Sequence, residues 1–469
     1  MVVDQPLVSV GREICGDLAA GLRREWLVTN GLGGYASGTL AGIATRRYHG
    51  WLVAALAPPV DRTVLVAGAV EWATYEGRRY ALSAHEYGDG TVDPHGYRHL
   101  QCFTLEGTLP VWRYALADAL LERRLWMRHG ANTTYVMYRL IAGSRPVHLE
   151  ITPLVTYRDF HTLTFGGDWQ PDVETAPDGL VVRARDGAVP FSIRTDGGRV
   201  IPSGGWYWNF RHREESARGL DDRSDLYAPG TLGGTVRPGG RLTLQLSTED
   251  RSVGAGDRAL DAERARQVLL LRRAAVERAE PVVQQLVLAA DQFIVERRVG
   301  PPPAERAPQE GEATSEDAAA PPAQQETSAG GKTVIAGYPW FADWGRDTMI
   351  ALPGLCLATG RADDARGLLR AFAPYLRDGL LPNNFPDRAK GDPGYNTIDA
   401  ALWYVLAFHA THAVTGDATL ANDLLPVVRA IVDAYAQGTR YGIGVDPADG
   451  LLRGGEPGVQ LTWMDAKVG

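Results

Sequence analysis

Residues 340–347 read Trp-Phe-Ala-Asp-Trp-Gly-Arg-Asp, two carboxylates and a guanidinium among three aromatic rings. Arg346 presents a rigid fork of five N–H donors, and Asp343 and Asp347 accept. Neighbouring hydroxyls on a pyranose ring both donate and accept, so a carboxylate beside a guanidinium can satisfy such a pair. Trp340, Phe341 and Trp344 can wall the apolar face of the same ring. These residue types point to a sugar pocket; a structural Arg–Asp pair is the competing reading of these eight residues taken alone.

Two more stretches add to the first. PNNFPD and GDPGYNTIDAALWY set Asn383, Asn384, Asp387, Asp392, Asn396, Asp399 and Trp403 around loops and helix starts, where binding residues concentrate on a rigid scaffold. Asp399 alternatively serves only the positive end of a helix. Further on, Thr462-Trp463-Met464-Asp465-Ala466-Lys467 puts a carboxylate beside an indole. Burial against an aromatic ring raises a carboxyl pKa, which suits a general acid, whereas an inward-pointing Lys467 opposes that shift.

Other motifs carry less. Gly31-x-Gly33-x-x-Ala36 approaches a dinucleotide fingerprint, but a Gly-rich, β-forming segment follows and no acidic residue occurs until Asp61, so a glycine turn in a hairpin is expected. His85, His95, His99 and Cys102 fit no metal-ligand spacing, and His409 and His412 lack the glutamate of a zinc helix.

The elements that must position these residues change character along the 469-residue chain. Up to about residue 250 the pattern alternates: Val136, Tyr138 and Leu140; Val147, Leu149 and Ile151; Val182 and Ala184 before an Asp186-Gly187 turn, then Phe191 and Ile193; Leu242, Leu244 and Leu246. Period-2 runs punctuated by Gly, Asp and Pro predict an antiparallel sandwich over 1–255. Helical spacing follows in 256–299, with Val283, Leu286, Val287, Ala290 and Ile294 on one stripe. Residues 300–333 are Pro-, Ala-, Glu-, Gln- and Ser-rich with almost no large apolar side chain, which predicts a disordered insertion.

Over 334–469 the stripes are Ala365, Leu368, Leu369, Phe372 and Leu376; Leu402, Val405, Leu406 and His409, with Thr397 as N-cap; and Leu420, Leu424, Val428, Ile431 and Tyr435. Gly379, Gly416 and Gly438 stand after their ends, so side-by-side helical hairpins are expected.

A net charge of −8 is unlike a nucleic-acid footprint. Three widely spaced cysteines give no disulfide framework. MVVDQPLVSV has no basic segment leading into an apolar run, and no apolar run approaches the ~18 residues of a membrane span, so a cytoplasmic protein is expected.

EWLVTNGLGGYASGTLAGIATRRYHGWLVA resembles the N-terminal domain of bacterial and archaeal glycogen debranching enzymes. GYPWFADWGRDTMIALPGL, PNNFPD, YNTIDAALWY and LTWMDAK resemble their amylo-α-1,6-glucosidase domain. The resemblance implies a β-sandwich followed by an (α/α)6 barrel similar to glucoamylase, here incomplete. It implies hydrolysis, with inversion, of the α-1,6-linked glucosyl stub of glycogen or limit dextrin, no cofactor, and branched α-glucans as partners. Carried onto this sequence, Asp343, Arg346 and Asp347 resemble a terminal-glucose clamp and Asp465 the general acid. Trp340, Trp344, Asn396, Asp399, Trp403 and Trp463 complete the expected sugar-binding set. No Asp or Glu matches the family's general base, so little or no hydrolysis and an exposed apolar edge are expected of this chain. A carbohydrate-binding protein that keeps only the clamp, and a phosphorylase or trehalase-like enzyme on a related scaffold, are the alternatives.

Overall fold

The structure is a computed structural model that describes residues 6–167, 169–249, 256–297, 331–386 and 393–464. Its first half is a sandwich of two antiparallel sheets. The nine-stranded sheet runs, in spatial order, Ser9–Val10, Leu100–Glu106, Leu109–Leu116, Ala119–Met127, Thr133–Ala142, Arg241–Ser247, Phe191–Thr195, Gly179–Arg183 and Asp172–Ala176. The eight-stranded sheet runs Arg199–Arg211, Arg223–Val236, Val147–Asp159, Val60–Tyr75, Gly50–Ala57, Tyr35–Thr39 and Glu25–Thr29, with Arg78–Ala81 paired onto Val60–Tyr75. The alternating residues Val136, Tyr138, Leu140, Val147, Leu149, Ile151, Leu242, Leu244 and Leu246 all point into the core between the sheets. Strand alternation sends one side-chain set inward, so the pattern fixes register as well as strand identity.

Buried polar groups in the sandwich include a cluster around Glu71. Arg123 donates to Glu71 at 2.6 Å and lies over the Trp112 ring at 4.3 Å, while the Tyr138 hydroxyl donates to the same carboxylate at 2.5 Å. Gly31 and Gly33, at φ +72° and +92°, form the turn between Glu25–Thr29 and Tyr35–Thr39, as the hairpin reading of the glycine motif expects.

Two helices lead out of the sandwich. Helix α1 (Gly256–Arg273) sets Leu260 against Leu109, Trp126, Tyr135 and Met137, and α2 (Pro281–Asp291) packs Val287 and Leu288 on Leu271. The predicted stripe on α2 needs correction. Val283 and Leu286 are exposed, and Ile294 lies beyond the helix in a strand, Ile294–Arg297, paired antiparallel with Gly331–Val334. Gly331, Lys332 and Thr333 therefore belong to a strand and not to the insertion; residues 300–330 lie outside the described residues.

The helical part comprises α3 (Gly345–Leu352), α4 (Ala362–Phe372), α5 (Ala400–Thr415) and α6 (Ala418–Gln437). Ala365, Leu368, Leu369 and Phe372 of α4 and Leu420, Leu424, Ile431 and Tyr435 of α6 are buried as expected, and Gly416 ends α5 in the left-handed region at φ +60°. The face of α5 is the opposite of the predicted one. Ala400, Ala401, Tyr404, Ala407, Phe408 and Thr411 face inward, whereas Leu402 and Leu406 are 38% and 55% exposed and His409 is exposed. AALWYVLAFHATH is apolar nearly all round, so periodicity does not select a face. Three alanines on the inner side leave room for close helix approach, and Tyr404 ties the pair by donating to Leu369 O at 2.9 Å.

The halves meet around Tyr338 and Trp340, which pack against Tyr35, Tyr48, Val53, Val64 and Phe160 of the sandwich. Arg62, buried, donates to Pro339 O at 3.2 Å and to Phe341 O. No described helix is long and apolar enough to cross a membrane.

Candidate active site

At Gly345, where helix α3 begins, the chain passes so tightly beneath a second loop that only glycine fits. The Gly345 N–H donates to Asn383 O at 2.8 Å, and a Cβ on Gly345 would stand 2.0 Å from Pro382 O. The adjoining Trp344 bridges Asn384. This contact aims the first turn of α3, carrying Arg346 and Asp347, at the start of α5.

There Arg346, 7% exposed, donates through Nε to both oxygens of Asp399 at 2.8 Å, and through Nη2 to Thr397 Oγ1 at 3.4 Å. The N-cap of α5 is Asp399 and not Thr397 as predicted; the Thr397 hydroxyl, two residues earlier, still accepts from the Ala400 N–H at 3.3 Å. Trp403, half-buried, lies one turn into α5, its N–H donating to Asp399 O at 2.9 Å. Burial pushes the Asp347 carboxyl above its ordinary value. Its own backbone N–H and Arg346 act against that rise, and the nearby Asp399 adds to it. Two carboxylates and one guanidinium thus meet at two helix N-termini, with Asp347 and Asp399 both partly exposed.

Asp343 does not join them. It is 0% exposed; one oxygen is held by Arg297 and by Thr333 Oγ1 at 3.1 Å, and Oδ1 meets no donor among the described residues. Arg297 in turn lies 3.8 Å over the Phe385 ring. The expected clamp trio is corrected accordingly: Asp343 is an internal anchor that a sugar cannot reach. Arg297 and Thr333 were not legible as its partners, since one sits at the lip of the Pro-rich stretch and the other was assigned to it. The β-branched Ile294-Val295 pair was the available signal of a strand there.

Trp340 is likewise displaced from its expected role. It packs into the interface between the halves, with the Arg46 guanidinium 5.1 Å over its ring. Phe341, 48% exposed, and half-buried Trp344 form an edge-to-face pair at 6.0 Å and remain as apolar walls. Asn396 donates to Gln460 O at 3.3 Å, and the Ile398 N–H donates to Leu461 O at 2.9 Å. These bonds bring the 460–461 segment against the residues just before Asp399. Trp463 is 72% exposed and gives no apolar wall. Asp465, Asp387 and Asp392 lie outside the described residues.

Among the described residues no three His, Cys, Asp or Glu side chains converge as a metal set. His85 is buried edge-on against Phe210, and His95 and His99 pack on Tyr97 and Tyr80. A cavity of about 50 Å³, room for a few waters, lies within the sandwich beside His49, His85, Glu86, Arg158, Arg211 and His212, and no candidate sugar-binding residue lines it.

Residues 24–243 match a family model described as glycogen debranching enzyme N terminal, and residues 288–469 match one described as amylo-alpha-1,6-glucosidase. Over 80 residues the chain is 43% identical to the glycogen debranching enzyme of Saccharomyces cerevisiae, a stretch that is 16% of this chain and 5% of the yeast protein. A bacterial glucoamylase solved with acarbose superposes at a TM-score of 0.46 with 10% identity, covering 92% of this chain and 58% of the glucoamylase. With both of its halves matched by models of one family, in the family's own order, the chain belongs to the glycogen debranching enzymes.

Proposed function

We propose that the chain is a glycoside hydrolase that acts on the α-1,6-linked glucosyl stubs of glycogen or limit dextrin. Arg346, Asp347 and Asp399 hold the terminal glucose. The observation that carries this reading is the meeting of those three side chains at the N-termini of α3 and α5. Asp399 occupies Arg346 Nε and Thr397 takes one Nη2 hydrogen, which leaves the remaining Nη donors beside two carboxylates that accept. A pair of adjacent ring hydroxyls needs one donor and one acceptor apiece, and this set offers both. Phe341, Trp344 and Trp403 supply apolar surface nearby. The helical part then reads as a portion of an (α/α)6 barrel.

Asp465 is the general acid in this proposal. It follows Leu461 by four residues, a reach of at most about 14 Å, and Leu461 is bonded beside Asp399. It protonates the departing glycosidic oxygen as the C1–O bond breaks, while water attacks the anomeric carbon from the opposite face and gives up its proton to a base or to bulk water. An inverting outcome needs a second carboxylate about 6.5–9.5 Å from the acid, and no residue is assigned to that role.

The test is an NMR time course with a maltooligosaccharide carrying an α-1,6 glucosyl branch, run with and without azide. Azide substitutes for base-activated water: it forms the C1–N bond as the C1–O bond breaks, and the acid protonates the leaving oxygen. The expected product is β-glucosyl azide, with β-glucose as the first anomer of any hydrolysis, and Asp465→Asn stops both. Product of α configuration, glucose 1-phosphate formed only with phosphate, or no turnover even with azide contradicts the proposal.

A further inference from the structure

The edge strand Arg199–Arg211 of the eight-stranded sheet contains PSGGWYWN, and its tryptophans form a surface cluster far in sequence from the candidate active site. Trp206 is half-buried, backed edge-on by Tyr227 of the sandwich core at 5.5 Å. Trp169 stands at 89° to it with ring centroids 5.8 Å apart, and Trp208 is tilted 34° from it at the same separation. Trp208 is 54% exposed and neighbouring Phe165 is 49% exposed. Scattered exposed aromatics are ordinary, but a contiguous cluster marks a binding surface.

The cluster is built rigidly. A Cβ on Gly166 would stand 2.3 Å from the Trp208 ring and 3.1 Å from that of Trp206, so the indoles rest directly on the glycine backbone. One carboxylate fixes both sides of this contact. Asp225 accepts from the Gly166 N–H at 2.8 Å and from the Asn209 N–H at 2.6 Å, while its own N–H donates to Thr164 O at 2.8 Å. Rings held in place before an encounter lose little entropy when a ligand stacks on them.

We propose that Trp206, Trp208 and Trp169 form a surface platform for an α-glucan chain. This rests on the glucan reading above and adds a second binding site to it. Among the described residues Asp225 is held by two N–H groups and Arg223 Nε donates to Asp222 at 3.0 Å, while the platform itself presents indole rings, which suits a neutral molecule with apolar faces. Sugar rings have such faces, and the tilt between the indoles suits successive rings of a curved chain better than a flat one. The platform is also joined to the interface of the two halves. The loop that carries Gly166 begins at Phe160, which packs in the cluster that contains Trp340. Six residues span at most about 20 Å, so one glucan strand resting on the platform raises the local concentration of its branches near the helical half.

Native electrophoresis of the full chain through gels containing glycogen tests this, with hydroxyethyl cellulose gels as control. The wild type is retarded by glycogen only. Trp208→Ala weakens retention about tenfold. Gly166→Ala does the same by displacing the ring at a backbone conformation that alanine tolerates. Arg346→Met keeps the retention and loses calorimetric binding of isomaltose. Retention of both platform variants at the wild-type level overturns the proposal, as does equal retardation by the β-linked polymer. A wild type that binds isomaltose but not glycogen overturns the platform and leaves the active-site reading standing; binding of neither overturns both.

Discussion

Arg346 Nε lies 2.8 Å from each carboxylate oxygen of Asp399, which joins the first turn of α3 to the residue preceding α5. Both helices point their positive ends at this pair, a placement that favours the carboxylates. Breaking one partner of a buried or half-buried pair leaves the other uncompensated. Asp399→Ala is therefore expected to lower stability by about 3 kcal/mol and to abolish glucoside binding, whereas Asp399→Asn, which keeps an acceptor for Arg346, retains most stability and loses binding. Thermal unfolding and isothermal titration of the two variants side by side check this split.

Asp343 makes the contrasting case. Sealed with Arg297 beneath the Phe385 ring, it is expected to matter for folding alone. Asp343→Ala strands a buried guanidinium and should cost about 3–5 kcal/mol. Arg297→Met together with Asp343→Leu removes both charges and should recover much of that loss. Unfolding midpoints in denaturant give the answer; a double variant as unstable as the single one contradicts the pairing.

A third buried network links the sandwich-side helices to the helical half. Asp291 on α2 receives Arg361 at 2.5 Å and also Arg266 of α1, and Arg361 reaches Asp364 of α4 at 2.5 Å. Burial disfavours the Asp291 charge, but Arg266 and Arg361 outweigh it and hold its pKa below the ordinary value. The contribution of Asp291 is therefore present above the unfolded carboxyl pKa and lost as pH falls through the folded one. Asp291→Asn should destabilise by about 3 kcal/mol at pH 7 and by progressively less as pH falls below the ordinary carboxyl range; chemical denaturation over a series of pH values measures it.

Histidines inside the sandwich set a different acid limit. Burial lowers the pKa of His85 from 6.5 to about 4, and burial with Arg158 lowers that of His212 to about 3. Both imidazoles are neutral when folded and take up protons on unfolding. Their stabilising effect is complete above pH 6.5 and declines as pH falls toward those folded values. Each should contribute a slope of about 1.4 kcal/mol per pH unit in that window. His85→Gln and His212→Gln, followed by circular dichroism from pH 7.5 to 4.5, should each flatten the dependence.

Sequence legibility followed the physics of each element. Strands of the sandwich bury one face, and alternation exposed Val147, Leu149 and Ile151 as surely as Leu242, Leu244 and Leu246. Helix α5 resisted because it is apolar on both sides, and the small Ala401 and Ala407, not the large Leu402 and Leu406, make its inner face. Leu406→Ala should accordingly cost under about 0.5 kcal/mol, against about 3–5 kcal/mol for Tyr404→Ala. In the candidate site, Arg346, Asp347 and Asp399 were singled out by residue type, and the structure places them near one another at two helix starts. Asp343 was indistinguishable from them: whether a carboxylate faces a sugar or an arginine is decided by Arg297, across the Pro-rich stretch.

Binding of isomaltose by the full chain, measured by isothermal titration for the wild type, Arg346→Met and Trp340→Phe, tests the central claim most directly. Arg346→Met should abolish the signal, while Trp340→Phe, altered at the interface between the halves, should leave it within about twofold, less than 0.5 kcal/mol. Wild-type binding that survives the loss of the Arg346 guanidinium would contradict the account.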